Sequence, residues 1–175
     1  VTLLNLKKLI REIPDFPQPG ISFKDISTLI KNGEAFHHII VTMADYYHSF
    51  HPELVVGIES RGYILGAPLA YELGCGFVLV RKPGKLPAEI ERIDYSLEYG
   101  ENSLEIHKDA ISAGNKVLIV DDILATGGTV SATAELVKRL GGEIIGYAFL
   151  AELDGLRGRE KLGEASILSL VHYDD

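Results

Sequence analysis

VLIVDDILATGGT, residues 117–129, sets four apolar residues, Val117 to Val120, directly against two carboxylates, Asp121 and Asp122, and closes on Thr126-Gly127-Gly128-Thr129. A short β-branched run ended by polar residues and glycines reads as a buried strand turning tightly into a helix, here over about Val130 to Leu140. The same unit recurs upstream. Leu54-Val55-Val56-Gly57-Ile58 ends in the polar loop Glu59-Ser60-Arg61-Gly62 before a helix over about Ile64 to Leu73, and further strands are expected at Phe77–Val80 and Ile144–Leu150. Strands alternating with helices predict an α/β fold with a central, mostly parallel sheet flanked by helices.

The 175 residues suit one domain over 1–175, with no internal repeat, low-complexity segment or linker. A hydrophobic content of 46% is that of a globular chain, and no apolar run approaches the roughly 18 residues that span a bilayer. The N-terminal residues lack the charged-then-apolar order of a secretory signal, and Cys75 is the only cysteine, so no intrachain disulfide forms. These features point to the cytoplasm. A net charge of -8 argues against general binding to a nucleic-acid backbone, and no membrane contact is expected.

Leu3, Leu4, Leu6, Ile10 and Ile13 fall at near-helical spacing and predict a short N-terminal helix, ended by Pro14, Pro17 and Pro19. A second helix from Gly33-Glu34 should turn Phe36, Ile39, Ile40, Met43 and Tyr47 inward. Residues 81–104 break the alternation, with many charges, two prolines and two glycines. Strand pairing over Ile90 to Tyr99 would make them a projecting hairpin, and a mobile lid is the preferred reading of so long an excursion.

Asp121 and Asp122 should sit at the carboxyl end of a parallel strand, where open sheets bind ligands. The amides opening the next helix, Gly127 to Val130, have no intrahelical acceptor and face incoming anions. Glycine lets a phosphate approach the backbone, and the Thr126 and Thr129 hydroxyls add hydrogen bonds. The aspartates would repel that anion, so the ligand must also carry groups that suit two acceptors: a vicinal diol or hydrated Mg²⁺. A phosphate some atoms from a diol describes a ribose 5-phosphate. Other nucleotide motifs fail: Gly57 to Gly62 has the glycine spacing of a Walker loop but Tyr63 in place of lysine, and Gly74-Cys75-Gly76 lacks a third glycine and precedes its strand.

On these residues the chain resembles the type I phosphoribosyltransferases, through their phosphoribosyl pyrophosphate (PRPP) motif at 117–129. The blocks DFPQPGISFKDIS (15–27), VVGIESRGYILGAPLA (55–70), RKPGKLP (81–87), YSLEYG (95–100) and LEIHKDAI (104–111) match the adenine-using subgroup in order. The resemblance implies transfer from PRPP to adenine, giving AMP and pyrophosphate, with Mg²⁺ held mainly by PRPP and water and Asp121 or Asp122 as its nearest protein contacts. It further implies that Asp121 and Asp122 take the ribose hydroxyls, and Ala125, Thr126, Gly127, Gly128 and Thr129 the 5-phosphate. Glu59, Ser60, Arg61 and Gly62 would form the pyrophosphate loop, with a non-proline cis peptide as in similar enzymes. Arg81, Lys82 and Lys85 would meet pyrophosphate, some of them across a homodimer interface. In a base-binding segment over about 14–27, Ser22, Phe23 and Lys24 would cradle adenine, with Phe23 stacking. Glu98 and Tyr99 would lie on a mobile hood, Glu98 taking the N9 proton or steadying the N7 edge. Arg61, Asp121, Asp122 and Glu98 are thus the expected catalytic set.

Other residues read more plainly. His37, His38, His48 and His51 should be solvated surface, and Cys75 a small buried hydrophobe. Burial alone would make Phe23 equally a core residue. Arg157-Gly158-Arg159-Glu160-Lys161 is expected as a solvated helix start away from the PRPP motif. Two rivals stand beside the adenine reading: a transferase for hypoxanthine, guanine or xanthine, and a PRPP-sensing regulator. The latter lacks any basic stripe for nucleic acid.

Overall fold

The computed structural model describes residues 5–97 and 100–174. Its centre is a five-stranded, all-parallel sheet in the order β4-β3-β7-β8-β9, formed by β3 (Leu54–Ile58), β4 (Gly76–Val80), β7 (Lys116–Leu124), β8 (Glu143–Leu153) and β9 (Ser166–Tyr173). Two antiparallel pairs stand outside it: β1 (Arg11–Ile13) with β2 (Phe23–Asp25), and β5 (Ile90–Leu97) with β6 (Gly100–His107). The helices are α1 (Leu6–Leu9), α2 (Ser27–Ile30), α3 (Gly33–His48), α4 (Arg61–Leu73) and α5 (Gly128–Arg139). The expected α/β architecture is present.

The apolar run in β7 is continuous because both faces of the sheet are covered. Leu118 and Val120 pack with Leu65 and Leu69 of α4 and Ile39 and Met43 of α3. Val117 and Ile119 point the other way, to Val130, Leu136 and Val137 of α5 and to Leu104 and Ile106 of the hairpin. The α3 face forms as its spacing predicts, with Ile39, Ile40, Met43 and Tyr47 buried and Phe36 partly buried against the same core. The Tyr47 hydroxyl donates to the Tyr147 carbonyl at 2.6 Å.

Several boundaries differ from expectation. The N-terminal helix runs over Leu6–Leu9, with Leu3 and Leu4 outside the described residues, and Ile13 lies not in it but in β1, whose register sets Ile13 opposite Phe23 and Arg11 opposite Asp25. Long-range pairing overrides the local helical spacing there, and Ile10 is already extended. Asp121 and Asp122 belong to β7 instead of following it: pairing with β3 stops at Val120, while pairing with β8 runs on to Leu124. The final strand, β9, had no sequence expectation. The segment before it holds two short 3₁₀ turns, Asp154–Leu156 and Gly158–Lys161, in place of a crossover α-helix. The four histidines 37, 38, 48 and 51 are exposed.

Strand order places the functional residues. From β3 the chain crosses through α4 to β4 on one side; from β7 it crosses through α5 to β8 on the other. The carboxyl ends of β3 and β7 therefore flank a topological switch point, the crevice where ligands bind in open sheets. The expected antiparallel hairpin is present and runs three residues past the 81–104 stretch, with Ile90 opposite His107 and Leu97 opposite Gly100. Its base is tied to α5, where Arg139 Nη1 reaches Glu91 Oε1 at 3.3 Å and the Arg92 carbonyl at 3.2 Å.

Candidate active site

Two clefts meet over the switch point, sharing Arg61, Asp121, Asp122 and Thr129. The first, of about 290 Å³, is lined by Ser22, Phe23, Lys24, the 125–129 loop and an apolar wall that includes Ile21, Ile123 and Leu153. The second, of about 360 Å³, is lined by Glu59, Ser60, Arg61 and Lys82.

The floor of the first cleft is the turn into α5. Gly127 is the residue before the helix, in the left-handed region at φ 79°, and no side chain among the described residues caps the helix start. Gly128 to Val130 line the cleft, and their first-turn amides have no intrahelical acceptor, an arrangement suited to anions. The Thr129 hydroxyl lies 3.3 Å from that of Tyr95, so the hairpin also touches this turn.

The acidic pair sits at the junction. Asp121 Oδ1 accepts the Asp122 amide at 2.9 Å. Burial, and then the neighbouring Asp122 charge, push the Asp121 carboxyl well above the usual carboxylate range. Asp122 is buried, and its Oδ2 lies 2.7 Å from Arg61 Nε without an aligned hydrogen bond. That contact is a Coulombic pair whose oxygen still has unused acceptor capacity. Gly62 explains how α4 comes so near: a Cβ there would stand 2.9 Å from the Val120 carbonyl and 3.0 Å from Asp121 Oδ1. Arg61 also lies over the Phe23 ring, its guanidinium carbon 5.2 Å from the centroid, and so joins the acidic pair to the aromatic wall.

The Glu59–Ser60 peptide is cis, as the resemblance implied. Glu59 accepts the Lys82 amide at 2.9 Å, and its carboxylate also meets Arg81 Nε at 3.4 Å and the Lys85 ammonium. Burial pushes this carboxyl up, but the bonds from Lys85 and the Lys82 amide and the two cations hold it below its ordinary value. Of the three expected pyrophosphate cations, only Lys82 lines the clefts, whereas Arg81 and Lys85 are paired with Glu59.

Lys24 was expected in the base-binding segment, with backbone groups of Ser22 to Lys24 reading the base edge. It is among the residues lining the cleft, and its side chain is buried, with Nζ 2.9 Å from Glu12 Oε2, 3.1 Å from Ser22 Oγ and 4.3 Å from the centre of the Tyr173 ring. Phe23 is partly buried, set edge-on to Phe16 at 5.2 Å, and belongs to the cleft wall more than to the core. Glu98 and Tyr99 lie outside the described residues. Cys75 is half-buried and burial pushes its thiol up, so it carries little thiolate.

The Arg157–Lys161 run needs the largest correction. Folded back by the turn after β8, it lies on the 125–129 turn instead of away from it. A Cβ on Gly127 would stand 2.5 Å from the Gly158 carbonyl oxygen. Ile21, Ile123, Leu153 and Gly158 were all missed in the sequence, because an isolated apolar or glycine residue carries no local mark of a cleft.

The Phosphoribosyl transferase domain profile matches residues 25–167, which contain the acidic pair, the glycine turn and the Glu59–Gly62 loop. The chain belongs to the phosphoribosyl transferase family. Over 171 residues it is 54% identical to an adenine phosphoribosyltransferase of Synechococcus, covering 98% of this chain and all of that one. The adenine phosphoribosyltransferase of Thermoanaerobacter pseudethanolicus superposes with a TM-score of 0.93 at 53% identity, over 96% of this chain and 98% of that one. The Saccharomyces cerevisiae enzyme, solved with adenine and an imino-altritol 1,6-bisphosphate, superposes with a TM-score of 0.90 at 43% identity, over 94% and 96% of the two chains.

Proposed function

We propose that the chain transfers the 5-phosphoribosyl group of PRPP to adenine, releasing AMP and pyrophosphate, as a purine-salvage enzyme carried by one domain over 1–175. The observation that carries this reading is the meeting of three complementary surfaces at one switch point: an uncapped helix start, an acidic pair and an aromatic-apolar wall. In this arrangement the 125–129 turn takes the 5-phosphate, and Asp121 and Asp122 accept from the ribose hydroxyls. The Phe23 wall holds the base, and the Glu59–Gly62 loop with Lys82 takes pyrophosphate.

The bond from ribose C1 to the pyrophosphate oxygen breaks as adenine N9 approaches. Positive charge develops on the sugar, beside the acidic pair, and negative charge on the leaving group, beside Arg61 and Lys82. Freeing Arg81 and Lys85 from Glu59 would add two cations to the same side. The N9 proton leaves to Glu98 or to water. Mg²⁺ fits the junction: Asp122 Oδ2 has spare acceptor capacity, and among the described residues no third carboxylate or histidine clusters with the pair. Such a donor set suits an ion brought largely by the diphosphate and its water, which would neutralise the leaving group.

The base is tested by comparing kcat/KM for adenine, hypoxanthine and guanine at matched PRPP and Mg²⁺. Adenine offers an amino donor where the others carry a carbonyl, and backbone carbonyls at Ser22 to Lys24 are acceptors. An acceptor facing a carbonyl costs about 1–3 kcal/mol, so adenine should lead by roughly ten- to a hundredfold. Equal or better use of either 6-oxopurine overturns the choice of base.

Residues 81–104 are proposed to close as a lid, keeping water from the sugar cation. Amide exchange should slow across them when PRPP, Mg²⁺ and a non-reacting base analogue are added; equal rates in both states would refute closure. A cytoplasmic homodimer is also proposed. Its lone, half-buried cysteine suits a reducing compartment, and the exposed Ile64, Tyr71 and Leu79 offer an apolar contact on the α4–β4 side.

A further inference from the structure

Beside the phosphate turn lies a polar anchor built from β8, β9 and the segment between them. Glu152 is on β8, buried, and in register with Leu124, the last residue of β7 before the turn. Its carboxylate accepts from Arg159 Nε at 2.9 Å and Nη2 at 2.6 Å, and from Ser169 Oγ of β9 at 2.7 Å. Asp154 and His172 tie the same segment to β9 a second time, His172 Nδ1 lying 2.9 Å from Asp154 Oδ1. Glu152, Asp154 and His172 hold their ligand-type atoms close enough for a cation, but both Glu152 oxygens are already committed to the guanidinium. The cluster is a clamp.

What it clamps is Gly158, the residue before Arg159. Gly158 is buried, and a Cβ on it would stand 2.2 Å from the Ala125 carbonyl oxygen and 2.9 Å from the Gly127 amide nitrogen. Backbone thus rests on backbone. The amides of the 125–129 turn bind phosphate only if their directions are kept, and the turn has no side-chain cap of its own. A two-bond guanidinium–carboxylate pair is directional, so it fixes where Gly158 sits and hence where the turn sits.

We infer that the pair formed by the buried Glu152 carboxylate and the half-exposed Arg159 guanidinium is a positioning device for the 5-phosphate turn, acting through the contact of Gly158 with Ala125 and Gly127. This rests on the reading above that residues 125–129 take the 5-phosphate. Neither Glu152 nor Arg159 is in the cleft lining, so their effect is on ribose-phosphate affinity and reaches pyrophosphate little.

Three variants test it: Arg159→Met, Arg159→Lys, and the double variant Glu152→Gln with Arg159→Met, which leaves no unpaired buried charge and guards against a failure to fold. Inhibition constants for ribose 5-phosphate and for pyrophosphate are measured against PRPP, together with kcat and the melting temperature. In Arg159→Met and in the double variant, the ribose 5-phosphate constant and the KM for PRPP should rise about tenfold, the scale on which small misplacements of binding groups act. The pyrophosphate constant should stay within about twofold, and Arg159→Lys, keeping one bond, should recover part of the loss. If the folded double variant binds ribose 5-phosphate as wild type does, the inference fails. It fails equally if both constants rise together, or if only the melting temperature moves. A wild-type chain that binds ribose 5-phosphate but transfers nothing to adenine would instead overturn the proposed function.

Discussion

Replacing Asp121 and Asp122 together by asparagine is expected to lower kcat/KM for PRPP by about 10²–10³-fold while leaving the fold as stable as before, or more so. Asparagine keeps an acceptor oxygen but removes the charge, and charge-assisted hydrogen bonds exceed neutral ones by about 1 kcal/mol each. The larger loss is at the transition state, where the sugar becomes cationic beside the pair. Stability moves the other way. Burial and the Asp122 charge raise the Asp121 pKa in the folded chain, so the folded state holds that proton more tightly than the unfolded state does. Ionising Asp121 as pH rises from the ordinary carboxylate value through the raised one therefore costs stability, and asparagine escapes that cost. Arg61 loses its partner, but its side chain is 45% exposed and water replaces the contact. Kinetics with PRPP alongside thermal melts across neutral and acid pH check both halves. Wild-type kinetics in the double variant would remove these residues from the sugar site, and a collapse of the melting temperature would make their role structural.

The sheet and the glycine turn that opens α5 were legible because local chemistry dictates them. Val117 to Val120 can be apolar at every position only if both faces are buried, and Gly127-Gly128 beside two threonines has few uses other than close approach by an anion. The pairing of Arg61 with Asp122 was not legible, since 60 residues separate the two and only the adjacency of β3 and β7 unites them. Ile13 shows the opposite failure. Its helical spacing from Ile10 is real, yet a three-residue ladder with β2 wins, and periodicity does not register a partner across a proline-rich loop. β9 stayed hidden because a parallel strand is expected after a helix, and the chain reaches it through 3₁₀ turns. Those turns also concealed Gly158. Nothing in Arg157 to Lys161 distinguishes a solvated charge run from a segment whose single glycine presses on a binding loop.

That contact leads to the second large effect: Gly127→Ala should lower kcat/KM for PRPP by about 10²–10³-fold, far beyond its cost in stability. Gly127 lies at φ 79°, where an alanine costs about 1–2 kcal/mol of backbone strain. Strain alone would reduce stability without touching the ligand. The added methyl, however, would stand 2.5 Å from the Gly158 carbonyl oxygen and 3.1 Å from its carbonyl carbon, so one of the two backbones must move. Gly158 is held by the Glu152–Arg159 pair beside it, and among the described residues the 125–129 turn has no comparable charged anchor, so the turn is the part that yields. Its amides then leave the phosphate by a distance that costs about 10²-fold per ångström in well-positioned sites. Gly74→Ala supplies the control. Gly74 ends α4 at φ 68°, with nothing within 4 Å of a Cβ, so it carries similar strain with no displaced neighbour. Both variants should melt lower by a similar few degrees, consistent with about 1 kcal/mol in a chain of this size. Only Gly127→Ala should lose PRPP use. Equal kinetics in the two would mean that the turn absorbs the methyl without moving its amides, and the phosphate would then have to be held by the Thr126 and Thr129 hydroxyls instead of the backbone.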